Sequence, residues 1–230
     1  MGRLAVVGKH QTLGAPAPAA ARPDVVPPDV VDLGDYVALY RHGIDTDVAA
    51  HRIDHAAHLQ ALAGLGCDRV LAVSSVGSLH RALPVGAFVV PSDFWALDQA
   101  PVVAQEARPY VVPGFTPAWR ARLVETWRAR AGQPIVDGGV CWQTNGPRFE
   151  TRAEVRFLAA FADLVGMTVA SECVAANQTG LAYAAVCTVD NYANGVADAP
   201  LTLEEFERGA AANADRLRCA LELVVPELAG

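Results

Sequence analysis

The sequence lacks the features that would tie it to a membrane or to an oxidising compartment. Five of its 230 residues are cysteine, and no two of them form a C-x-x-C pair. An odd number of scattered cysteines is typical of reduced, mostly buried thiols. No apolar run reaches the ~18 residues needed to span a bilayer, and the opening residues have no long apolar signal segment. We therefore expect a cytoplasmic protein with no membrane contact.

Positive charge is also scarce, and lysine in particular is rare. Lys and Arg together number 18 against 25 Asp and Glu, which gives a net charge of −7. Proteins that follow a nucleic-acid backbone need clustered cations. This balance argues against a nucleic-acid partner, and an anionic small substrate would have to be held by a few local donors.

Apolar residues, in contrast, are abundant. Hydrophobic residues make up 52% of the chain and charged residues 19%, so the chain can bury a large core. Strand-like and helix-like patterns alternate, which favours an α/β fold. We predict one domain over residues 1–230, a mixed twisted β-sheet flanked by helices. The predicted strands are 4–8, 36–43, 68–79, 85–94, 139–144, 163–168 and 181–193; the predicted helices are 53–66, 116–132, 151–161, 171–179 and 201–228; the Pro-rich residues 14–30 are predicted as a loop.

Several apolar strands end in small or polar side chains. In open α/β sheets, ligands bind outside such strand ends, where loops converge. Cations, hydroxyls and an amide suit a phosphate or sulfate beside a polar heterocycle. The ends are Arg41-His42-Gly43, Ser74-Ser75, Thr168 and Asp190-Asn191.

Three longer blocks occur in a fixed order along the second half of the chain: GPRFETRAEVRFL, ADLVGMTVASE and AAVCTVDNYANG. With YRHG, SSVGSL and PVGAFVVPSDF upstream, they make the chain resemble the trimeric purine nucleoside phosphorylase and methylthioadenosine phosphorylase family. Three ordered blocks are a far more specific signal than one short motif. The resemblance implies a nucleoside phosphorylase-like fold, a homotrimer, and cleavage of a purine nucleoside by inorganic phosphate to free base and pentose 1-phosphate, with no metal or organic cofactor.

The resemblance also implies which residues form the site. Each has an ordinary structural alternative, such as a tight turn for the serines or a core position for Met167. Leu203 also fits the buried face of the last helix. The implied phosphate-binding residues are Arg41, His42, Ser74, Ser75, Thr168 and His10; the implied substrate-binding residues are Phe149, Glu150, Met167, Asn191, Val76 and Leu203; the implied catalytic residues are Asn191, Glu150 and His42.

Two of these residues would determine which purine base is preferred. A carboxylate at Glu150 can accept from the N1–H of a 6-oxopurine, and an amide at Asn191 can donate to O6 and N7. Relatives that act on adenine carry Ser or Thr and Asp at these positions. The pair therefore favours a 6-oxopurine, although a shift by one residue would place Asp190 at the base instead.

The chain departs from the family after its first strand. Relatives have a G-G-S/T-G turn whose backbone amides hold phosphate, and here the residues after Gly8 are Lys9, His10 and Gln11. Lys9 and His10 could supply side-chain charge instead. Alternatively, phosphate is no longer bound, and the protein is a nucleoside hydrolase or a catalytically impaired nucleoside-binding protein. The 5′ substituent of the nucleoside stays open.

Overall fold

A mixed ten-stranded β-sheet forms the centre of the protein, in a computed structural model that describes residues 2–13, 29–45, 47–97 and 110–230. The main path of the sheet has the order β2-β3-β1-β4-β10-β5-β7, and β6, β8 and β9 branch from it through pairing of β9 with β4. The strands are β1 Arg3–Gly8, β2 Val30–Asp32, β3 Tyr36–Tyr40, β4 Cys67–Ser78, β5 Phe88–Val90, β6 Asp93–Trp95, β7 Val136–Asp137, β8 Val140–Gln143, β9 Leu164–Gly166 and β10 Ala182–Tyr192.

Helices cover both faces of this sheet. They are α1 His10–Leu13, α2 His55–Gly64, α3 Pro117–Arg130, α4 Arg152–Leu158, α5 Val169–Thr179 and α6 Leu203–Ala229. One core cluster contains Leu59 of α2 and Cys173 of α5, and the other contains Trp127 of α3 and Leu221 of α6. Among the described helices, none has both the length and the apolar composition needed to cross a bilayer.

The central strands are apolar on both faces because both faces are covered. Strands β3, β1, β4 and β10 run parallel to one another, and their sequences are nearly continuous runs of Val, Leu and Ala. Such runs are typical of parallel strands buried between two layers of helices. The predicted α/β fold with a mixed, helix-flanked sheet is therefore correct.

Most predicted elements are present, with shifted ends. The predicted strand 85–94 is two strands, β5 and β6, interrupted at Pro91, which has no backbone N–H for a sheet. The predicted helix 171–179 begins earlier, at Val169, directly after β9. The three short elements α1, β2 and β7 were not predicted, and β2 begins at Val30, the last residue of the predicted loop. Of the predicted loop 14–30, residues 14–28 lie outside the described part of the chain.

The carboxyl ends of the four parallel strands lie side by side and build one edge of the sheet. Gly8 at the end of β1 pairs with Tyr40 at the end of β3, and the next backbone N–H, that of Arg41, donates to the Gly8 carbonyl at 2.9 Å. Further along the edge, Ser74 of β4 pairs with Cys187 of β10. The polar residues that follow or end these strands are thereby brought together.

Candidate active site

A cavity of about 740 Å³ opens at this edge of the sheet. It is lined by residues from the strand ends of β1, β3, β4, β9 and β10, by the loop before α4 and by the first half of α6. The predicted site residues on its wall are Arg41, His42, Ser74, Ser75, Val76, Phe149, Glu150, Met167, Thr168, Asn191 and Leu203. His10 lies in α1, and its side chain is outside the described part of the structure.

Arg41 is held by an ion pair beneath the cavity. Its Nε and Nη2 both donate to the carboxylate of Glu172, the Nη2 bond being 2.9 Å, and its Nη1 donates to the Val73 carbonyl at 2.9 Å. The Tyr183 hydroxyl donates to the same carboxylate at 2.8 Å. Burial raises the pKa of Glu172, but the charge and hydrogen bonds of Arg41 outweigh it, so this pKa lies below its usual range. Arg41 therefore reaches the cavity with its charge already balanced.

His42 follows directly and is neutral near pH 7. Burial lowers the pKa of this imidazole to about 4, and the nearby cations Arg41 and Lys9 act in the same direction. Its Nδ1 lies 2.7 Å from the Val48 carbonyl oxygen. Because a carbonyl only accepts, the Nδ1 carries the hydrogen and Nε2 is left as an acceptor.

Two hydroxyls meet beside this group. Thr168 Oγ1 lies 3.2 Å from Ser74 Oγ, and both side chains are buried. Thr168 occupies the N-cap position of α5, but its side chain makes no capping hydrogen bond there. The hydroxyl is therefore turned toward Ser74 and the cavity instead of the helix end.

Some residues of the polar stretch before α4 cap this helix, and others line the cavity. Thr151 and Glu154 form a reciprocal capping box at the start of α4, and Arg148 donates to Glu154 at 2.7 and 2.8 Å. These contacts fix the loop that carries Phe149 and Glu150 into the cavity wall. The buried Glu150 carboxylate accepts from the Thr144 hydroxyl at 2.7 Å, which leaves its second oxygen for a ligand.

A β-bulge near the end of β10 brings two neighbouring residues to the cavity. Val189 pairs with Val76 and Asn191 pairs with Gly77, so Asp190 has no partner on β4. In a regular strand Asp190 and Asn191 would point to opposite faces, yet both line the cavity. Burial raises the pKa of Asp190, whose carboxylate accepts from Asn213 at 2.9 Å.

The remaining wall is apolar and comes mainly from α6. Phe206 packs on Phe149 with ring centroids 5.8 Å apart, and Leu203 lies nearby on the first turn of the helix. The Nζ of Lys9 lies 5.7 Å from the centre of the Phe206 ring. Lys9, which follows β1, and Thr12 of α1 both reach the cavity.

Three features of the site were not predicted from the sequence. Glu172 ends the block GMTVASE, but no role was assigned to it. A single acidic residue inside an otherwise apolar helix could have indicated a buried ion pair. Nothing in the sequence distinguishes Phe206 from a core residue, because an aromatic residue on a long amphipathic helix usually fills the core. Asp190 was expected at a strand end but was given a place at the base only if the alignment were shifted, whereas the bulge allows it and Asn191 to line the cavity together.

Comparison with known proteins points to one family. The sequence model of the Phosphorylase superfamily matches residues 30–225. A "Probable 6-oxopurine nucleoside phosphorylase" of Archaeoglobus fulgidus is 39% identical over 184 residues, which are 80% of this chain and 76% of the relative. A "Probable S-methyl-5'-thioinosine phosphorylase" of Methanocaldococcus jannaschii is 33% identical over 180 residues, covering 74% of this chain and 69% of the relative.

A solved structure shares the fold over the whole chain. The methylthioadenosine phosphorylase from Schistosoma mansoni, in complex with adenine, superposes with a TM-score of 0.80. The alignment covers 100% of this chain and 91% of that one at 22% sequence identity. At this identity the likeness is one of fold.

Proposed function

Because the chain belongs to the Phosphorylase superfamily, we propose that it is a purine nucleoside phosphorylase that prefers 6-oxopurines. It would cleave the N-glycosidic bond of a purine nucleoside, deoxynucleoside or 5′-methylthionucleoside with inorganic phosphate. The products would be the free base and a pentose 1-phosphate. The relatives named for 6-oxopurine nucleosides and S-methyl-5′-thioinosine support this substrate class.

The observation that carries the proposal is the spacing of polar groups along β4. Ser74, which meets the Thr168 hydroxyl, is three residues from Gly77, which pairs with Asn191. Three residues of strand span about 10 Å. A phosphate at the Ser74 end and a purine at the Asn191 end would therefore leave room for one pentose between them, over Val76 and Met167.

Phosphorolysis requires an anion at one end of the cavity and hydrogen-bond donors at the other. A phosphate oxygen forms the new bond to the anomeric carbon as the carbon–nitrogen bond breaks, and the bonding pair leaves with the purine. The anionic phosphate stabilises the positive charge that develops on the sugar, and donors to the purine stabilise the negative charge that develops there. Phosphate is the nucleophile, so we propose no metal or organic cofactor for this step.

The base end suits a 6-oxopurine. Asn191 uses one amide N–H on the Tyr192 carbonyl at 2.8 Å, which leaves the other for purine N7 or O6. The free oxygen of Glu150 would accept from N1–H, which adenine lacks. Phe149, braced by Phe206, would contact the flat face of the base or sugar. The apolar residues Leu201 and Leu203 suit a 5′-deoxy or 5′-methylthio group.

We also propose a cytoplasmic homotrimer. Several aromatic side chains are exposed on one surface, where Trp95 stacks on Trp142 at 5.4 Å and Phe157 and Phe161 are about half exposed. Exposed apolar patches of this kind often mark interfaces between subunits. The five cysteines are free, which suits a reducing compartment. Light scattering of the purified protein would test the subunit number.

The activity is tested by measuring base release from inosine, guanosine, 5′-methylthioinosine and 5′-methylthioadenosine, each with and without phosphate. We expect phosphate-dependent release from the 6-oxopurine nucleosides. Release that ignores phosphate would identify a hydrolase and reject the proposal. Release from the adenine nucleoside alone would keep the reaction and reject the assignment of Glu150 and Asn191.

A further inference from the structure

In the part of the chain that the structure describes, one basic side chain of the cavity has no counter-ion in contact with it. Among the described residues on its wall, the basic ones are Lys9, Arg41 and His42. The charge of Arg41 is balanced by Glu172 in a pair that is almost fully buried, and His42 is neutral near pH 7 because burial lowers its pKa to about 4. Lys9 is the remaining cation.

Lys9 follows the strand that pairs with the one preceding Arg41 and His42. It follows Gly8 at the end of β1, and the Gly8 carbonyl accepts from the backbone N–H of Arg41. The charges of Lys9 and Arg41 both lower the pKa of His42, which places the three side chains within electrostatic reach of one another. Ser74, in the neighbouring strand β4, lines the same cavity.

Within the described part of the chain, no carboxylate oxygen lies within 4.0 Å of the Lys9 Nζ, and its one close partner is the Phe206 ring. Burial lowers the pKa of Lys9, while Asp47, Asp190 and Glu207 face it from a greater distance and act in the opposite direction. A half-buried ammonium without a contact ion pair is costly unless a ligand supplies the anion.

Residue choice supports a special role for this position. The chain contains 17 arginines and one lysine, and that lysine is Lys9. An ammonium on a flexible four-carbon stem is a compact point charge that can reach a phosphate without a fixed fork geometry. The glycine-rich turn of relatives would instead bind phosphate through backbone amides.

We propose that Lys9 is a phosphate-binding residue that offers the co-substrate an ammonium group without a contact counter-ion, in place of the glycine-rich turn. Arg41 then contributes oriented N–H donors, and Ser74 and Thr168 contribute hydroxyls. The assignment rests on the proposed phosphorolysis, because it makes phosphate the anion. It also explains how a site whose arginine is already neutralised would attract a divalent anion.

The first test compares steady-state kinetics of the wild type, Lys9→Met, Lys9→Arg and the matched control Arg208→Met, which removes an exposed cation from α6 outside the cavity. For Lys9→Met we expect the KM for phosphate to rise by about 10- to 100-fold, the effect of losing a charge-assisted hydrogen bond. The KM for inosine should change less than about 3-fold. Lys9→Arg should recover part of the loss, and Arg208→Met should match the wild type.

An unchanged KM for phosphate in Lys9→Met would overturn the proposal, as would an equal effect in Arg208→Met. A wild type that releases no base in a phosphate-dependent manner would reject the proposed function, and a second measurement then decides the role of Lys9 alone. Lys9 carries the only ε-amino group in the chain, so its acylation by an amine-reactive ester can be followed by peptide mapping. Protection by inorganic phosphate supports the site, and acylation at an equal rate with and without phosphate rejects it.

Discussion

Arg41 and Glu172 form a two-pronged ion pair in which the two residues are only 2% and 1% exposed. They lie 131 positions apart in the sequence, and the pair joins the end of β3 to α5. Arg41 extends from this pair to the cavity wall. The pair is therefore a structural support for the part of the cavity wall that Arg41 forms, as well as a part of the core.

Removing one partner of this pair should be strongly destabilising. Glu172→Gln leaves the Arg41 charge buried without its counter-ion, which costs about 3–5 kcal/mol of the free energy of unfolding. Denaturant titration would measure this. The control Glu227→Gln breaks an exposed pair with Arg130 and should cost less than about 1 kcal/mol. Similar losses in the two variants would show that the buried pair contributes little.

The stability of the protein should fall as the pH is lowered from 7 to 5, because burial lowers the pKa of three histidines. The pKa of His42 and of His55 is lowered to about 4 each and that of His58 is lowered in the same direction, whereas unfolded histidine titrates near 6.5. Between these values the unfolded chain binds protons that the folded chain does not, so unfolding is favoured as the pH falls. Denaturant midpoints measured across this range should therefore decrease.

Replacement of His55 isolates one contribution to that pH dependence. His55→Gln should reduce the decrease in unfolding free energy between pH 7 and 5, since one of the three imidazoles with a lowered pKa is gone. The exposed His51 is the matched control, and His51→Gln should leave the slope unchanged. A slope in His55→Gln equal to that of the wild type would contradict the assignment.

The choice of base should depend on the amide of Asn191. Asn191→Asp replaces a donor by a carboxylate where negative charge develops on the purine, so kcat/KM for inosine should fall about 100- to 1000-fold. Use of an adenine nucleoside, whose 6-amino group donates, should fall less or rise. The control Asn177→Asp makes the same change outside the cavity and keeps the oxygen that accepts from Gly114. An inosine rate untouched by Asn191→Asp would remove Asn191 from the base site.

A glycine in α6 should be essential for packing against the bulge of β10. A Cβ added at Gly209 would lie 1.9 Å from the carbonyl oxygen of Asp190. Gly209→Ala should therefore destabilise the protein by about 1–3 kcal/mol, although alanine is favoured over glycine in a free helix. Gly64→Ala, in α2 with no neighbour within 4 Å, should be neutral or stabilising. Thermal unfolding should show a lower midpoint for Gly209→Ala and an unchanged or higher midpoint for Gly64→Ala.

The fold could be predicted because its signals are local. Continuous apolar runs identify buried strands. Helices such as α3 are recognised by Thr-Pro at the start and by apolar residues at helical spacing. The division of residues 85–94 into β5 and β6 could not be predicted from such runs. This division depends on tertiary pairing, because β5 pairs with β10 and β6 pairs with β8.

The sequence predicted many of the residues that line the cavity, but it did not predict their charge states. Glu150 lies in a polar loop and Asn191 lies near the end of β10, as expected. The predicted strand end at Ser74 is wrong, because β4 continues to Ser78 through its pairing with β10. The neutral state of His42 depends on burial by groups from other elements. The unmatched charge of Lys9 follows only once Arg41 is seen to be paired with Glu172.

Short stretches of the chain encode the alternating strands and helices, the polar residues near the strand ends and the unusual residue Lys9 after β1, so the sequence was enough to recognise them. Which charges are balanced and which are not follows only from the folded chain. The same is true of the cavity that Asp190 and Asn191 share, since a bulge forms only against a neighbouring strand. Charge balance and burial depend on distances between residues far apart in the sequence, and folding alone sets those distances.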